Sequence, residues 1–251
     1  MGFTLVKYKI IIFSFLFVSG CAPKTAYVVK QKGENKNISN DFGSADEAVL
    51  KMISPYKSQL DKTMNVVIGE LTESMEKSRP NSSLSNFMCD AMVSIGKIKF
   101  PEKNIQFGVM NYGGIRLPSL PKGPVTISRM YELMPFDNTL VIMNVDKETV
   151  RQLCDRIIAL GGWPVSKELK LEANGLILKN ILINNIPLDQ MPDNFNIALP
   201  NYVAEGGDNT NMLKNRPKED SGIFIRDILQ EYVKINKIIT PDTIKRIIIN
   251  P

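Results

Sequence analysis

The chain has 251 residues, with 31 Lys and Arg against 26 Asp and Glu, a formal net charge of +5 and no histidine. That length suits one large domain or two small ones, and 43% hydrophobic with 23% charged residues is an ordinary globular composition. Without histidine, Ser-His-Asp and Cys-His catalysis, imidazole bases and His-ligated metals are excluded. Without a basic stripe interleaved with aromatics, nucleic acid is not an expected partner.

Lys7 and Lys9 precede an apolar run from Ile10 to Val18, which is too short to span a bilayer. Val18-Ser19-Gly20-Cys21 then reads as a bacterial lipobox with Cys21 as the lipidation site; an ordinary secretory signal followed by an unrelated cysteine is the alternative. The expected organisation is a lipoprotein signal peptide over residues 1–20, a flexible polar tether over 21–44 and one folded domain over 45–251. The expected location is the bacterial cell envelope. The chain would be lipid-anchored to a membrane and face the periplasm or exterior.

Asp46 to Met64 carries Val49, Ile53, Tyr56 and Leu60 at helical spacing, with Pro55 a point where the helix bends or restarts. Asn65 to Gly69 reads as a strand. Ser82 or Ser83 caps a helix whose apolar face runs from Leu84 to Ile95, and Gly96 is placed to end it. Ile105 to Met110 and Gly123 to Ile127 read as strands, and Ser128 as the cap of a helical turn bearing Tyr131. Thr139 to Val145 reads as a strand, and Asp146 as the cap of a helix from Lys147 to Leu160. Leu169 to Asn185 suggests a hairpin, Phe195 to Leu199 a strand, Gly222 to Val233 a helix and Ile244 to Ile249 a last strand. Several connections are too short for parallel crossovers. The expected fold class is therefore α+β, a single compact domain with a mixed β-sheet and flanking helices. Cys89 and Cys154 fall on apolar helix faces and read as buried thiols.

Three turns at strand ends concentrate polar and aromatic residues. The first is Asn111-Tyr112-Gly113-Gly114-Ile115-Arg116, where two glycines allow close approach to the backbone and an Arg fork suits phosphate or carboxylate. Alone, this turn fits a Gly-Gly hairpin with a surface Arg equally well. The second is Pro135-Phe136-Asp137-Asn138, and the third is Asn201-Tyr202-Val203-Ala204-Glu205-Gly206-Gly207-Asp208. Phe136 and Tyr202 sit in loops rather than on an apolar stripe, so they can sandwich a flat ring; taken singly, either ring fits core packing as well.

In order and spacing these turns resemble the C-terminal domain of the bacterial and animal 5′-nucleotidases. Ser85-Asn86-Phe87-Met88-Cys89-Asp90-Ala91 matches that family's upstream Gly-Asn-Leu-x-x-Asp-Ala helix. The resemblance implies a nucleoside site in which Phe136 and Tyr202 sandwich the base. It also implies that Asn111 touches the base with Asn138 near it, that Asp208 holds the ribose hydroxyls and that Arg116 reaches phosphate. An upstream Arg of the family falls near Arg79, although a strict alignment lands on Ser78. The chain departs from the family at Tyr202 (usually Phe), Tyr112 (Gly), Ser85 (Gly) and Asn209-Thr210 (Gly and an aromatic).

The family's metallophosphatase domain carries two metal ions and the catalytic groups, and nothing in this sequence matches it. The resemblance therefore implies no catalytic residue, metal site or cofactor in this chain, and a divalent metal pair on a separate metallophosphatase chain. The function so implied is the nucleotide-recognition half of a split 5′-nucleotidase. The alternative is a stand-alone lipoprotein that binds nucleosides or nucleotides, or serves as an interaction module, without hydrolysing them.

Overall fold

The computed structural model describes Gly33 and residues 46–251, so the expected signal segment, Cys21 and nearly all of the tether lie outside the described residues. In chain order the elements are α1 (Glu47–Met64), β1 (Val67–Leu71), β2 (Met75–Glu76), α2 (Ser83–Lys99), β3 (Ile105–Gly108), β4 (Ser119–Leu120) and β5 (Gly123–Thr126). They continue with α3 (Ile127–Leu133), β6 (Thr139–Asp146), α4 (Lys147–Ala159), β7 (Leu169–Asn174), β8 (Ile177–Ile183) and β9 (Ile186–Pro187). The last are β10 (Asn194–Pro200), α5 (Asn201–Ala204), β11 (Lys218–Phe224), α6 (Ile225–Asn236), β12 (Ile238–Ile239) and β13 (Ile247–Asn250).

The central sheet has the order β11-β6-β10-β3, and both its faces are covered. On β6, Leu140 and Ile142 point into one apolar core with α2, α3 and α6, while Val141, Met143 and Val145 point into another with α4, β7 and β8. This is why Leu140 to Val145 is almost continuously apolar: a strand buried on both faces has no water-facing side. β10 divides in the same way, Ala198 facing the first core and Ile197 and Leu199 the second. A second sheet, β13-β7-β8-β9, closes the far side of the α4 core, and β12-β1-β5 and β2-β4 flank the other. Parallel and antiparallel pairs occur together in three of these sheets. The fold is α+β with mixed sheets, as the sequence leads one to expect.

Strand direction positions the site. β10 runs parallel to β3 and antiparallel to β6. The C-terminal ends of β3 and β10 therefore lie at the same sheet edge as the start of β6. Those three points carry the turns at Asn111, Asn201 and Asn138.

The motif Ser85 to Ala91 has an architectural task. Asn86 donates to the carbonyls of Asp242 (2.9 Å) and Ile244 (3.1 Å). Asp90 accepts two bonds from Arg246, at 2.8 and 2.6 Å, and Arg246 is only 2% exposed. Asn81 receives the backbone N–H groups of Arg246 and Ile247. The C-terminal segment is thus fastened to α2, and strand pairing begins at Ile247 rather than at the expected Ile244.

Several local expectations shift. α2 runs past Gly96 to Lys99, because Gly96 makes room for Ile105, whose Cδ1 would stand 3.0 Å from a Cβ there, and does not end the helix. Thr126, not Ser128, caps α3 by accepting from the Arg129 N–H. α1 continues through Pro55, and Val49, Ile53, Tyr56 and Leu60 are all exposed. Residues 218–224 form an edge strand, so the last long helix starts at Ile225 instead of Gly222. Cys89 and Cys154 are free and buried, and burial pushes both thiols well above their ordinary pKa.

Candidate nucleoside-binding cleft

Asn111 leaves the end of β3 and enters a single turn of 3₁₀ helix over Tyr112–Gly114, closed by the Gly114 N–H on the Asn111 carbonyl at 3.0 Å. The turn passes to Arg116, whose N–H donates to the Leu133 carbonyl at the end of α3. The second turn follows α3 directly. Arg226, from the first turn of α6, clamps it by donating to the Phe136 carbonyl (3.0 Å) and to Asp137 Oδ1 (2.6 Å). The Asn138 carbonyl accepts from the Ile225 N–H. Asn201 joins this turn to the third, its Oδ1 accepting from the N–H of Thr139 (3.3 Å) and of Tyr202 (2.8 Å).

The third loop doubles back after α5. Gly206 (φ 89°) and Asp208 (φ 52°) are both left-handed, a conformation glycine adopts freely and Asp tolerates. Gly207 is required for space: a Cβ there would lie 2.4–2.6 Å from three carbons of the Tyr202 ring. Buried Thr210 donates to the Val203 and Gly207 carbonyls and staples the loop shut. The departure at Asn209-Thr210 thus supplies an internal brace. Arg156 on α4 adds a bond to the Asp208 carbonyl at 2.9 Å.

Between the three turns lies a cleft of about 380 Å³, lined by Asn111, Arg116, Phe136, Asn138, Tyr202 and Asp208 together with the glycines 113 and 114. These are six of the seven residues singled out from the sequence. Phe136 and Tyr202 are 39% and 44% exposed, so neither is a core ring. The Arg116 guanidinium carbon stands 5.4 Å from the Phe136 ring centre, within cation–π range. Tyr202 Oη donates to Asp208 Oδ1 at 3.1 Å, and Asn111 Nδ2 donates to Asp208 Oδ2 at 3.2 Å. Asn111 is 94% buried, and its Oδ1 receives no hydrogen bond in the structure. A buried acceptor without a donor is costly unless a ligand supplies one.

Arg79 stands apart from this lining. It donates to the Leu160 carbonyl at the end of α4 and lies 4.0 Å over the Tyr112 ring. Lys77, which carries no motif and escapes a sequence reading, also lies 4.0 Å from the Tyr112 ring centre and donates to the Ile115 carbonyl at 2.7 Å. Burial, with Arg116 and Arg79 close by, lowers its pKa below the ordinary lysine value. The Gly-to-Tyr departure at Tyr112 therefore gives two cations an aromatic surface beside the cleft.

The cleft offers two amides, a guanidinium, a carboxylate and two aromatic rings. That set can bind a flat, hydroxylated, anionic molecule. No group of three or more His, Cys, Asp or Glu suited to a metal ion lies among the described residues.

The family model described as 5′-nucleotidase, C-terminal domain, matches residues 67–215. The chain is 26% identical to a 5′-nucleotidase of Diplobatis ommata, over 88% of this chain and 43% of that protein. It is 23% identical to protein UshA of Yersinia enterocolitica, over 75% of this chain and 34% of that protein. Among solved structures, a 5′-nucleotidase precursor from Thermus thermophilus superposes with a TM-score of 0.69 at 25% identity, over 81% of this chain and 42% of that one. The chain thus spans less than half the length of these relatives. The family match covers more than half of the 251 residues, from β1 to the loop before β11, and includes all three turns of the cleft. The chain belongs to the family of 5′-nucleotidase C-terminal domains.

Proposed function

We propose that the chain is the nucleotide-recognition half of a split 5′-nucleotidase, acting with a metallophosphatase chain that holds a divalent metal pair. The observation that carries this reading is the convergence of Asn111, Arg116, Phe136, Asn138, Tyr202 and Asp208 on one cleft from three loops. In this reading the base stacks between Phe136 and Tyr202, and its N–H groups meet the unpartnered Asn111 Oδ1. Asp208 accepts from the ribose hydroxyls. Arg116 takes the phosphate, with Lys77 adding positive charge behind it. Metal-assisted phosphoester hydrolysis needs an activated water and a clamp on developing charge. This chain contributes positioning and the Arg116 cation; the partner supplies the metals when bound. Lipid at Cys21 keeps the chain at a membrane of the cell envelope, where extracytoplasmic nucleotides are met.

The experiment is co-purification with a metallophosphatase chain from the same organism, followed by phosphate release from nucleoside monophosphates. Release that needs both chains and a divalent cation is the expected result. Nucleotide binding by this chain alone, with no release in any mixture, would instead establish a binding lipoprotein, a reading favoured by the lack of histidine in all 251 residues. Failure of any nucleotide or nucleoside to bind overturns both. Cys21→Ser should release the protein from membranes on fractionation.

A further inference from the structure

We infer that Tyr202 is a positioning residue that joins base stacking to ribose recognition, so that its hydroxyl sets the preference for ribose over deoxyribose. The inference rests on the nucleotide reading of the cleft. A phenylalanine at this position would stack as well. What the tyrosine adds is one oxygen, and that oxygen is fully engaged: it donates to Asp208 Oδ1 at 3.1 Å and accepts from the Asp208 N–H at 3.3 Å. Two bonds to one residue fix both the ring and the loop. The loop is built to permit them. Left-handed Gly206 and Asp208 turn the chain back on itself, and the bare Gly207 lets the ring lie against the backbone.

The second carboxylate oxygen is held from the opposite side of the cleft by Asn111 Nδ2 at 3.2 Å. Each carboxylate oxygen has two lone-pair sites. One per oxygen is taken by the protein, and Asp208 is otherwise exposed. Two acceptor sites therefore remain in a fixed plane, and a vicinal diol presents two donors to match them. Losing the Tyr202 hydroxyl leaves Asp208 Oδ1 free to rotate and a backbone N–H without its partner. The stacking face of the ring is untouched. Hydroxyl and diol thus act together on one carboxylate and do not compete for it.

The test uses the full chain and isothermal titration. The nucleoside bound best among adenosine, guanosine, cytidine and uridine is compared with its 2′,3′-dideoxy counterpart, for the unaltered protein and for Tyr202→Phe. We expect Tyr202→Phe to weaken ribonucleoside binding roughly three- to ten-fold, the span of a typical net hydrogen bond. Dideoxynucleoside binding should change by less than about two-fold, since the stacking face is retained. In an Asp208→Asn background, adding Tyr202→Phe should lower the ribose preference no further, because both changes act on one contact. An unchanged preference in Tyr202→Phe, tighter ribonucleoside binding by that variant, or additive losses in the double variant would each overturn the inference while leaving the nucleotide reading standing. Absence of nucleoside binding by the unaltered protein would overturn both.

Discussion

Asn111 and Asp208 are 97 residues apart in sequence and 3.2 Å apart in space, the buried amide donating to the exposed carboxylate. The amide is neutral, so the pair costs little desolvation. Asn111→Asp would change that without changing shape. A second carboxylate, 94% buried, would then face Asp208 with no donor between them. Like charges at this distance raise the pKa of one group, and the resulting stability is present in acid and lost as pH rises. We expect Asn111→Asp to be destabilised by about 2 kcal/mol at pH 8 and by less at pH 5. Thermal melts at the two pH values check this; an equal deficit at both would be the contrary result.

Phe136 is 39% exposed and borders the cleft, so truncation opens no core cavity. Phe136→Ala should keep its melting temperature within a degree or two. It should also weaken nucleoside binding by roughly ten- to a hundred-fold, the worth of about 1–3 kcal/mol of base stacking. Isothermal titration beside the melts separates this from a packing role, in which stability would fall and affinity would follow only through unfolding.

How much of this was legible beforehand depends on where the physics is local. The helix Lys147–Ala159 was legible because Asp146 caps it and Val150, Leu153, Cys154 and Ile157 repeat on one face. β6 was legible because burial on both faces leaves an unbroken apolar run. β11 was not, because Lys218, Glu219 and Asp220 on an exposed edge strand carry charges of the kind that blunt strand edges. The three turns stand out as polar and aromatic clusters at strand ends, but each ring alone also fits core packing, and the roles of Asn111, Asn138, Asp208 and Arg116 come from the order and spacing the turns share with the family. Their meeting depends on β10 pairing parallel to β3 and antiparallel to β6, which is a long-range fact. Asn201 and Lys77 were missed as contributors, since one works by tying two backbones and the other by its position over Tyr112.

The Arg246–Asp90 pair is the polar counterpart of the core. Arg246 is 2% exposed, and desolvation is opposed by Asp90 and Asp242, which together hold its pKa above the usual arginine value. Removing one partner strands a buried charge, at a cost of about 3–5 kcal/mol. Asp90→Ala should therefore lose about that much stability in denaturant melts. A loss under about 1 kcal/mol, the worth of an exposed pair, would show that Asp242 and the Val165 carbonyl suffice for the guanidinium.

Asp146 makes an acid-sensitive contribution to stability. The Thr149 hydroxyl, then the Thr149 N–H, then Arg216 stabilise the ionised carboxylate and lower its pKa from 3.8 to about 2. A depressed pKa adds stability that is complete above the unfolded value and is lost as pH falls from about 4 towards 2. The side chain is 42% exposed, so water screens the Arg216 pair and the cap bonds carry most of the effect. Asp146→Ala should be less stable by about 1 kcal/mol at pH 7, as for a lost N-cap. The gap to the unaltered protein should narrow as pH falls from about 4 and close only below pH 2. Melts across that range follow it, and a gap that stays constant would refute the assignment.

Gly207 offers the sharpest separation of binding from folding. Its φ is not in the left-handed region, so alanine brings no backbone strain there. The added Cβ would instead sit 2.4 Å from Tyr202 Cε1 and 2.5 Å from Cζ, distances at which something must move. Tyr202 is 44% exposed, which leaves its ring room to swing, whereas the loop backbone is held by Thr210 and Arg156. The ring should yield. When it does, its hydroxyl leaves Asp208 and its face leaves the cleft, so one added methyl removes both the stacking surface and the ribose brace. We expect Gly207→Ala to melt within about 1 kcal/mol of the unaltered protein, as for a surface change. Its nucleoside affinity should fall about as far as that of Tyr202→Ala, roughly ten- to a hundred-fold. Titration and melting on the two variants make the comparison. Affinity retained in Gly207→Ala but lost in Tyr202→Ala would mean that the ring binds from more than one orientation and that its seat on Gly207 is dispensable.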